Sequence, residues 1–169
     1  GGSLLALAGF ENATAVATIY INTNLAACAG VMTCAIITRL VNGKTDVIMM
    51  LNGALGGLVA ITAEPLTPTP IMAIIIGAIG GIIVILGTQA LNKLQIDDVV
   101  GAIPVHLFAG IWGTLAVPLT NSGTSFGPQL LGTASICAFV FVVSFIVWSI
   151  MKATIGIRIS EEAEKEGTD

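Results

Sequence analysis

The sequence consists of five long apolar runs separated by short polar breaks. The runs cover residues 13–38, 47–63, 70–92, 99–119 and 129–152. The breaks combine charge with Asn-Gly, as in RLVNGKTD, or hold several prolines, as in EPLTPTP. The shortest run, roughly 17 residues, extends about 26 Å as a helix, and a bilayer core is about 30 Å thick. This run can cross the membrane if it has little tilt or if the membrane is locally thin, and the longer runs cross easily. The pattern therefore predicts five transmembrane helices.

The composition supports a membrane protein. Charged residues make up 9% of the chain and hydrophobic residues 55%, whereas a soluble domain has about 25% charged residues. The runs are also too long and too continuous for the strands of a membrane barrel. We therefore expect an all-α integral membrane fold over residues 1–152, followed by the start of a tail at 153–169. Because the chain opens at GGSLLALAG without Met, we expect it to be a segment of a longer protein.

The basic residues predict how the chain is oriented in the membrane. They follow the first, third and fifth spans, as Arg39, Lys44, Lys93, Lys152, Arg158 and Lys165. The alternate loops, 64–70 and 120–128, contain no Lys or Arg. Positively charged loops stay on the cytoplasmic side of a membrane. The pattern predicts a multi-pass protein of the cell membrane that begins outside and has a cytoplasmic carboxyl terminus.

The predicted spans are rich in glycine at helical spacing. These glycines are Gly53, Gly56, Gly57, Gly77, Gly80, Gly81, Gly110 and Gly113. Small residues three or four positions apart allow transmembrane helices to approach closely. We expect them to serve helix packing.

Few residues have the chemistry of a catalytic or metal site. Cys28, Cys34 and Cys137 show no C-x-x-C spacing, and we interpret them as small apolar fillers. The single histidine has no carboxylate near it within a span, so we predict no metal ion, no cofactor and no enzyme activity. Nothing predicts a nucleic-acid partner.

The one histidine lies in GAIPVHLFAGIWG, residues 101–113, an otherwise uncharged stretch. Pro104 is expected to disturb the helical hydrogen bonding just before His106. An ionisable residue inside a membrane faces a cavity or a partner as a rule. Neutral imidazole, however, is the least costly titratable group to bury. The residues alone leave open whether His106 has a function or is a satisfied core histidine.

Several motifs in order resemble the Amt/Mep/Rh family of ammonium transporters, and the Amt/Mep branch in particular. DDVVGAIPVHLFAGIWGTLA at 97–116 is similar to the family's pattern of paired acids, Val-His and Gly-Ile-x-Gly. NTNLAA, LNGALGGLVAITA and GIRISEEAEKEGTD resemble its seventh helix, its eighth helix and the start of its tail. The resemblance covers essentially the whole chain.

The resemblance implies half of a larger molecule. Family members have eleven spans that contain an inverted repeat, and they form trimers. This chain would cover the end of helix six through helix eleven and would need the first half. His106 resembles the second of two pore histidines, and Ser3 resembles a serine that binds ammonium at the outer mouth. Asp97 and Asp98 resemble structural acids near the pore, and we expect them to cap a helix.

The function implied is passage of ammonium across the membrane as ammonia, after deprotonation at the outer mouth. The tail resembles the segment that couples neighbouring subunits and interacts with a regulatory signal protein. Two alternatives remain: an ammonium sensor on the same scaffold, and a non-transport subunit of a membrane complex. One histidine cannot supply both axial ligands of a bis-histidine haem within this chain.

Overall fold

The computed structural model describes residues 9–167, and this part of the chain is helical without a strand. The helices are α1 (Phe10–Asn42), α2 (Val47–Thr62), α3 (Pro70–Lys93), a π-helical segment (Ile103–Phe108), α4 (Ala109–Ala116), a 3₁₀ turn (Val117–Leu119), α5 (Phe126–Thr154) and α6 (Glu161–Glu166). The expected all-α class is confirmed.

The helices differ in their capacity to cross a membrane. The helices α1, α3 and α5 are long and apolar enough to cross a membrane, whereas α2 and the run Ile103–Leu119 are shorter apolar helices. Among the described residues three helices thus meet the length of a span, and the count of five remains a prediction. In the fourth run the π-helical segment begins at Ile103 and not at residue 99, because residues 99–100 form a turn that hydropathy does not detect.

Local sequence signals explain where the first helices begin and end. Gly43 ends α1 in the left-handed conformation, with φ 73°, which glycine adopts without strain. The Asp46 carboxylate accepts from the backbone N–H of Met49 at 3.1 Å and caps α2. Thr69 caps α3 in the same way, and Pro70 occupies the first turn, where its missing N–H removes no helical bond.

The chain divides into two compact units, one up to Leu130 and one from Leu131. In the first unit α1, α2 and α3 pack against one another, and α2 and α3 also contact the π-helical segment and α4. Trp112 packs against a core of small and branched side chains. These core residues are Ala26, Ala60, Ile61, Ala73, Ile76 and Ala116. The second unit holds most of α5 and also α6, and no residue of α5 is buried.

Glycines bring the helices of the first unit into backbone contact. A methyl group added at Gly57 or at Gly77 would overlap the carbonyl of Ala26, and one at Gly30 would overlap the carbonyl of Gly53. The predicted role in close packing is confirmed for all of the predicted glycines except Gly110. Its nearest neighbour would lie 3.6 Å away, at ordinary contact distance.

Candidate functional site

His106 lies on the π-helical segment Ile103–Phe108, between a turn and α4. The backbone N–H of Ala109 donates to the carbonyl of Pro104, a bond over five residues in place of the usual four. Pro104 cannot donate a hydrogen bond itself. The segment is irregular at His106, and the prediction that Pro104 disturbs the helical hydrogen bonding just before this residue stays a prediction, because Pro104 lies in the first turn of the segment.

The polar groups at the start of the segment are satisfied by two side chains. The Asp98 carboxylate accepts from the N–H groups of Ala102 and Ile103, each at 2.8 Å. Asn52, on α2, donates from Nδ2 to the carbonyl of Val100 at 3.0 Å. Carboxylates are favoured at the amino terminus of a helix, where free N–H groups point outward. Asp98 therefore caps the segment that carries His106.

The turn before the segment requires glycine. Gly101 has φ 76°, and a Cβ atom there would lie 2.6 Å from Nδ2 of Asn52. Its carbonyl accepts from the N–H of Val105 at 3.2 Å. On the other side the segment packs against α3, where a Cβ at Gly87 would lie 2.9 Å from Pro104. The backbone before His106 is thus held by both α2 and α3.

The side chain of His106 is exposed, whereas its neighbours Pro104, Val105 and Ala109 are buried. The imidazole therefore lies on the face of the segment that α2 and α3 do not cover. In a chain of this hydropathy, such a face adjoins lipid, a cavity or another part of the protein. Burial by the described residues does not account for this histidine.

The other predicted site residues are placed differently. Ser3 lies outside the described residues 9–167, so its role in ammonium binding at the outer mouth remains a prediction. Asp98 is the member of the acidic pair that makes the two capping bonds. The position of Asp97 and Asp98 relative to a pore also remains a prediction.

The cysteines form no metal centre in the described part of the chain, where no group of three potential ligands occurs. Cys34 is buried and its thiol donates to the carbonyl of Gly81 at 3.4 Å. Cys28 is exposed. The interpretation as small apolar fillers fits the buried Cys34 and stays a prediction for Cys28 and for the partly buried Cys137.

Comparison of the sequence with models of protein families identifies the family of this chain. The sequence model of the Ammonium Transporter Family matches residues 1–169, the whole chain. The chain belongs to the Ammonium Transporter Family.

Curated members of the family share sequence with this chain. Ammonium transporter Amt2 of Archaeoglobus fulgidus is 41% identical in an alignment that covers 91% of this chain and 37% of that protein. A putative ammonium transporter of Synechocystis is 38% identical in an alignment that covers 99% of this chain and 39% of that protein. The chain thus spans less than half the length of these relatives.

Solved structures of the family share the fold. A structure described as "Sensor Amt Protein" matches with a TM-score of 0.85 at 30% identity, over 90% of this chain and 40% of that one. Candida albicans Mep2 matches with a TM-score of 0.77 at 26% identity, over 86% of this chain and 37% of that one. The helical arrangement described above is therefore that of Amt and Mep proteins.

Two buried asparagines of this Ammonium Transporter Family member were not identified as site residues from sequence. Asn52 anchors the turn before His106, and Asn22, completely buried on α1, donates to the carbonyls of Pro65 and Pro68 at 3.0 and 2.8 Å. Both lie within apolar runs, where an amide is costly unless it is paired. That cost is the signal that could have singled them out, although it does not reveal the partner.

Proposed function

We propose that this chain forms the second half of an ammonium transporter of the cell membrane. In this function ammonium loses its proton near the outer mouth and ammonia passes beside His106. The whole transporter would comprise a preceding half and would assemble as a trimer with its carboxyl terminus in the cytoplasm. Ser3 would contribute to ammonium binding at the outer mouth. Family membership and the length of the relatives support this proposal.

The observation that carries the proposal is the exposed imidazole on a rigidly held, irregular helix. Non-helical backbone at membrane depth is tolerated where it lies against protein or a water-filled cavity. A polar ring on that backbone is costly in contact with lipid. Both costs are avoided when His106 faces a pore formed together with the preceding half.

Magnitudes favour passage as the neutral molecule. The idealised cost of moving an ammonium-sized ion into a medium of low dielectric constant is about 20 kcal/mol, and several kcal/mol remain after relaxation. Removal of its proton at pH 7, for an amine pKa of roughly 9, costs about 3 kcal/mol at about 1.36 kcal/mol per pKa unit. Deprotonation is the less costly path. Potassium has no proton to lose, so the same pore excludes it.

The test replaces His106 in the complete transporter, reconstituted in proteoliposomes. We expect His106→Ala to abolish ammonium flux or to remove its selectivity over potassium, because the hydrogen-bonding ring is lost. Leu107→Ala is the matched control, since Leu107 is an exposed neighbour on the same segment without a polar group. Unchanged flux and selectivity in His106→Ala would contradict the proposed role.

A sensor is the second candidate, because one of the structural matches is described as "Sensor Amt Protein". A sensor would bind ammonium without conducting it. The same proteoliposomes distinguish the two functions: saturable ammonium binding without uptake or current would favour the sensor, whereas sustained flux would favour the transporter.

A further inference from the structure

A small cavity lies between α2, α3 and α4, near the carboxyl-terminal ends of α2 and α4. Its volume is about 10 Å³, which is close to the space that one water molecule requires. Among the described residues that line it, Glu64 and Thr120 are polar and the others are apolar. Glu64 is half-buried and follows the end of α2, and Thr120 follows the 3₁₀ turn. The cavity therefore combines the volume of one small molecule with a carboxylate residue in its wall.

The Glu64 carboxylate is held in place by both of its oxygens. Oε2 accepts from Nδ2 of Asn121 at 3.2 Å, and Oε1 accepts from the backbone N–H of Leu66 at 3.4 Å. The loop that follows Glu64 is fixed in turn by Asn22, which is completely buried and donates to two proline carbonyls of this loop. The position of the carboxylate is thus set by the protein itself, and a ligand that binds there does not have to order it.

Both polar residues of the lining offer hydrogen-bond acceptors. An ionised carboxylate accepts at about four lone-pair sites and donates none, and the Leu66 and Asn121 groups use only part of this capacity. The hydroxyl of Thr120 donates its proton to the carbonyl of Val117 at 3.3 Å, so only its lone pairs remain available. A molecule that binds in this cavity must therefore donate hydrogen bonds.

The charge of Glu64 favours a cation as this donor. The loops that meet at Glu64, residues 64–70 and 120–128, contain no lysine or arginine that could neutralise it. A water molecule donates to a carboxylate but leaves its charge uncompensated, whereas an ammonium ion of similar size donates and compensates the charge. Potassium is bound through many oxygen ligands, which a cavity with an otherwise apolar lining does not supply.

We propose that Glu64 and Thr120 form a binding site for a single ammonium ion, at the end of α2 that the distribution of basic residues places outside. The site raises the local concentration of ammonium at the outer surface, where ammonium is still charged. This inference rests on the proposed function for the identity of the ion. It adds to that function two residues besides His106 and Ser3.

The concentration dependence of flux in proteoliposomes that contain the complete transporter is the first test. We expect Glu64→Gln to raise the external ammonium concentration that gives half-maximal flux by about fivefold, the upper range for a partly exposed charge pair. Maximal flux should be unchanged, because a binding site is lost while the path of ammonia is intact. Thr120→Val should raise the half-saturating concentration by about twofold, since one acceptor is lost and the charge remains.

Glu11→Gln is the matched control. Glu11 is exposed near the start of α1 and does not line the cavity, so this substitution removes the same charge from the same predicted side of the membrane. It should leave the half-saturating concentration unchanged. An equal effect of Glu11→Gln and Glu64→Gln would show that the overall surface charge attracts ammonium, and would overturn the proposal. An unchanged half-saturating concentration in Glu64→Gln would overturn it as well.

Thermal unfolding provides a readout that does not depend on transport. The complete protein in detergent is unfolded in ammonium chloride and in potassium chloride at equal ionic strength. A ligand that binds the folded state raises the unfolding temperature. We expect the larger rise with ammonium, and a smaller difference between the two salts in Glu64→Gln but not in Glu11→Gln. Equal rises with both salts, or an undiminished difference in Glu64→Gln, would show that the cavity holds only water.

The two measurements separate failure of the site from failure of the proposed function. If unfolding shows a rise specific to ammonium that depends on Glu64 while the protein conducts no ammonium, the transport function fails and the site stands. If flux requires His106 while Glu64→Gln alters neither half-saturation nor unfolding, only the site fails. If Glu64→Gln does not fold, Thr120→Val replaces it in both experiments, and unchanged results for that variant overturn the site.

Discussion

Gly101 shows how a single residue supports the site. Its positive φ of 76° is in the left-handed region, where an L side chain costs about 1–2 kcal/mol. A methyl group there would also meet Nδ2 of Asn52 at 2.6 Å. Backbone conformation and contact therefore both require glycine at the turn before His106.

We predict that Gly101→Ala destabilises the complete transporter by more than this backbone cost, because the amide of Asn52 must move. Gly43→Ala is the matched control: Gly43 has a similar φ of 73°, and an added Cβ would have nothing within 4 Å. It should cost only the backbone term, about 1–2 kcal/mol. Thermal unfolding of the detergent-solubilised proteins compares the two. Equal destabilisation would show that Asn52 accommodates the methyl group freely.

At the scale of elements, sequence reasoning predicted the helical class, because that class depends on a local property. Long apolar runs form helices in lipid whatever their partners are. The start of the fourth helix was placed too early, since Val99 and Val100 are apolar but belong to a turn. The anchoring by Asn52 was missed, because its partner lies 48 residues away in sequence and periodicity contains no information about such pairs.

An exposed ion pair connects the short helix α6 to the residues before it. The Arg158 guanidinium donates to the Glu164 carboxylate at 2.7 Å. This hydrogen bond and the positive charge of Arg158 lower the pKa of Glu164. A lowered carboxyl pKa means that the small contribution of this exposed ion pair to α6 is fully present above the ordinary carboxyl pKa. That contribution is lost as pH falls through the lowered pKa of Glu164.

We therefore predict that α6 loses protection against amide hydrogen exchange as the solution is acidified through this range. Glu164→Gln should slightly reduce protection at neutral pH and weaken its pH dependence, because the amide carries no charge. Glu166→Gln, in the same helix, should retain the pH dependence. Exchange measured on the full chain at several pH values tests this. A profile of Glu164→Gln that matches the unsubstituted protein would contradict it.

For the whole molecule, the positions of the basic residues bear on whether the short helix α2 crosses the membrane. With five crossings, Lys44, Lys93 and Lys152 all lie on the cytoplasmic side, as the positive-inside rule requires. If α2 did not cross, Lys93 and Lys152 would lie outside while Lys44 stayed inside. The charge pattern therefore argues that the 16-residue α2, about 24 Å long, spans the membrane with little tilt.

We predict that cysteines introduced as Lys44→Cys and Lys93→Cys react with an impermeant thiol reagent only from the cytoplasmic side. Thr67→Cys and Ser122→Cys should react only from outside, because they lie in the two loops without basic residues. The native cysteines are first replaced by alanine, since Cys28 is exposed. Labelling of Thr67→Cys from the cytoplasmic side would show that α2 turns back within the membrane. The short helix would then be a re-entrant segment, and the positive-inside rule would fail for this protein.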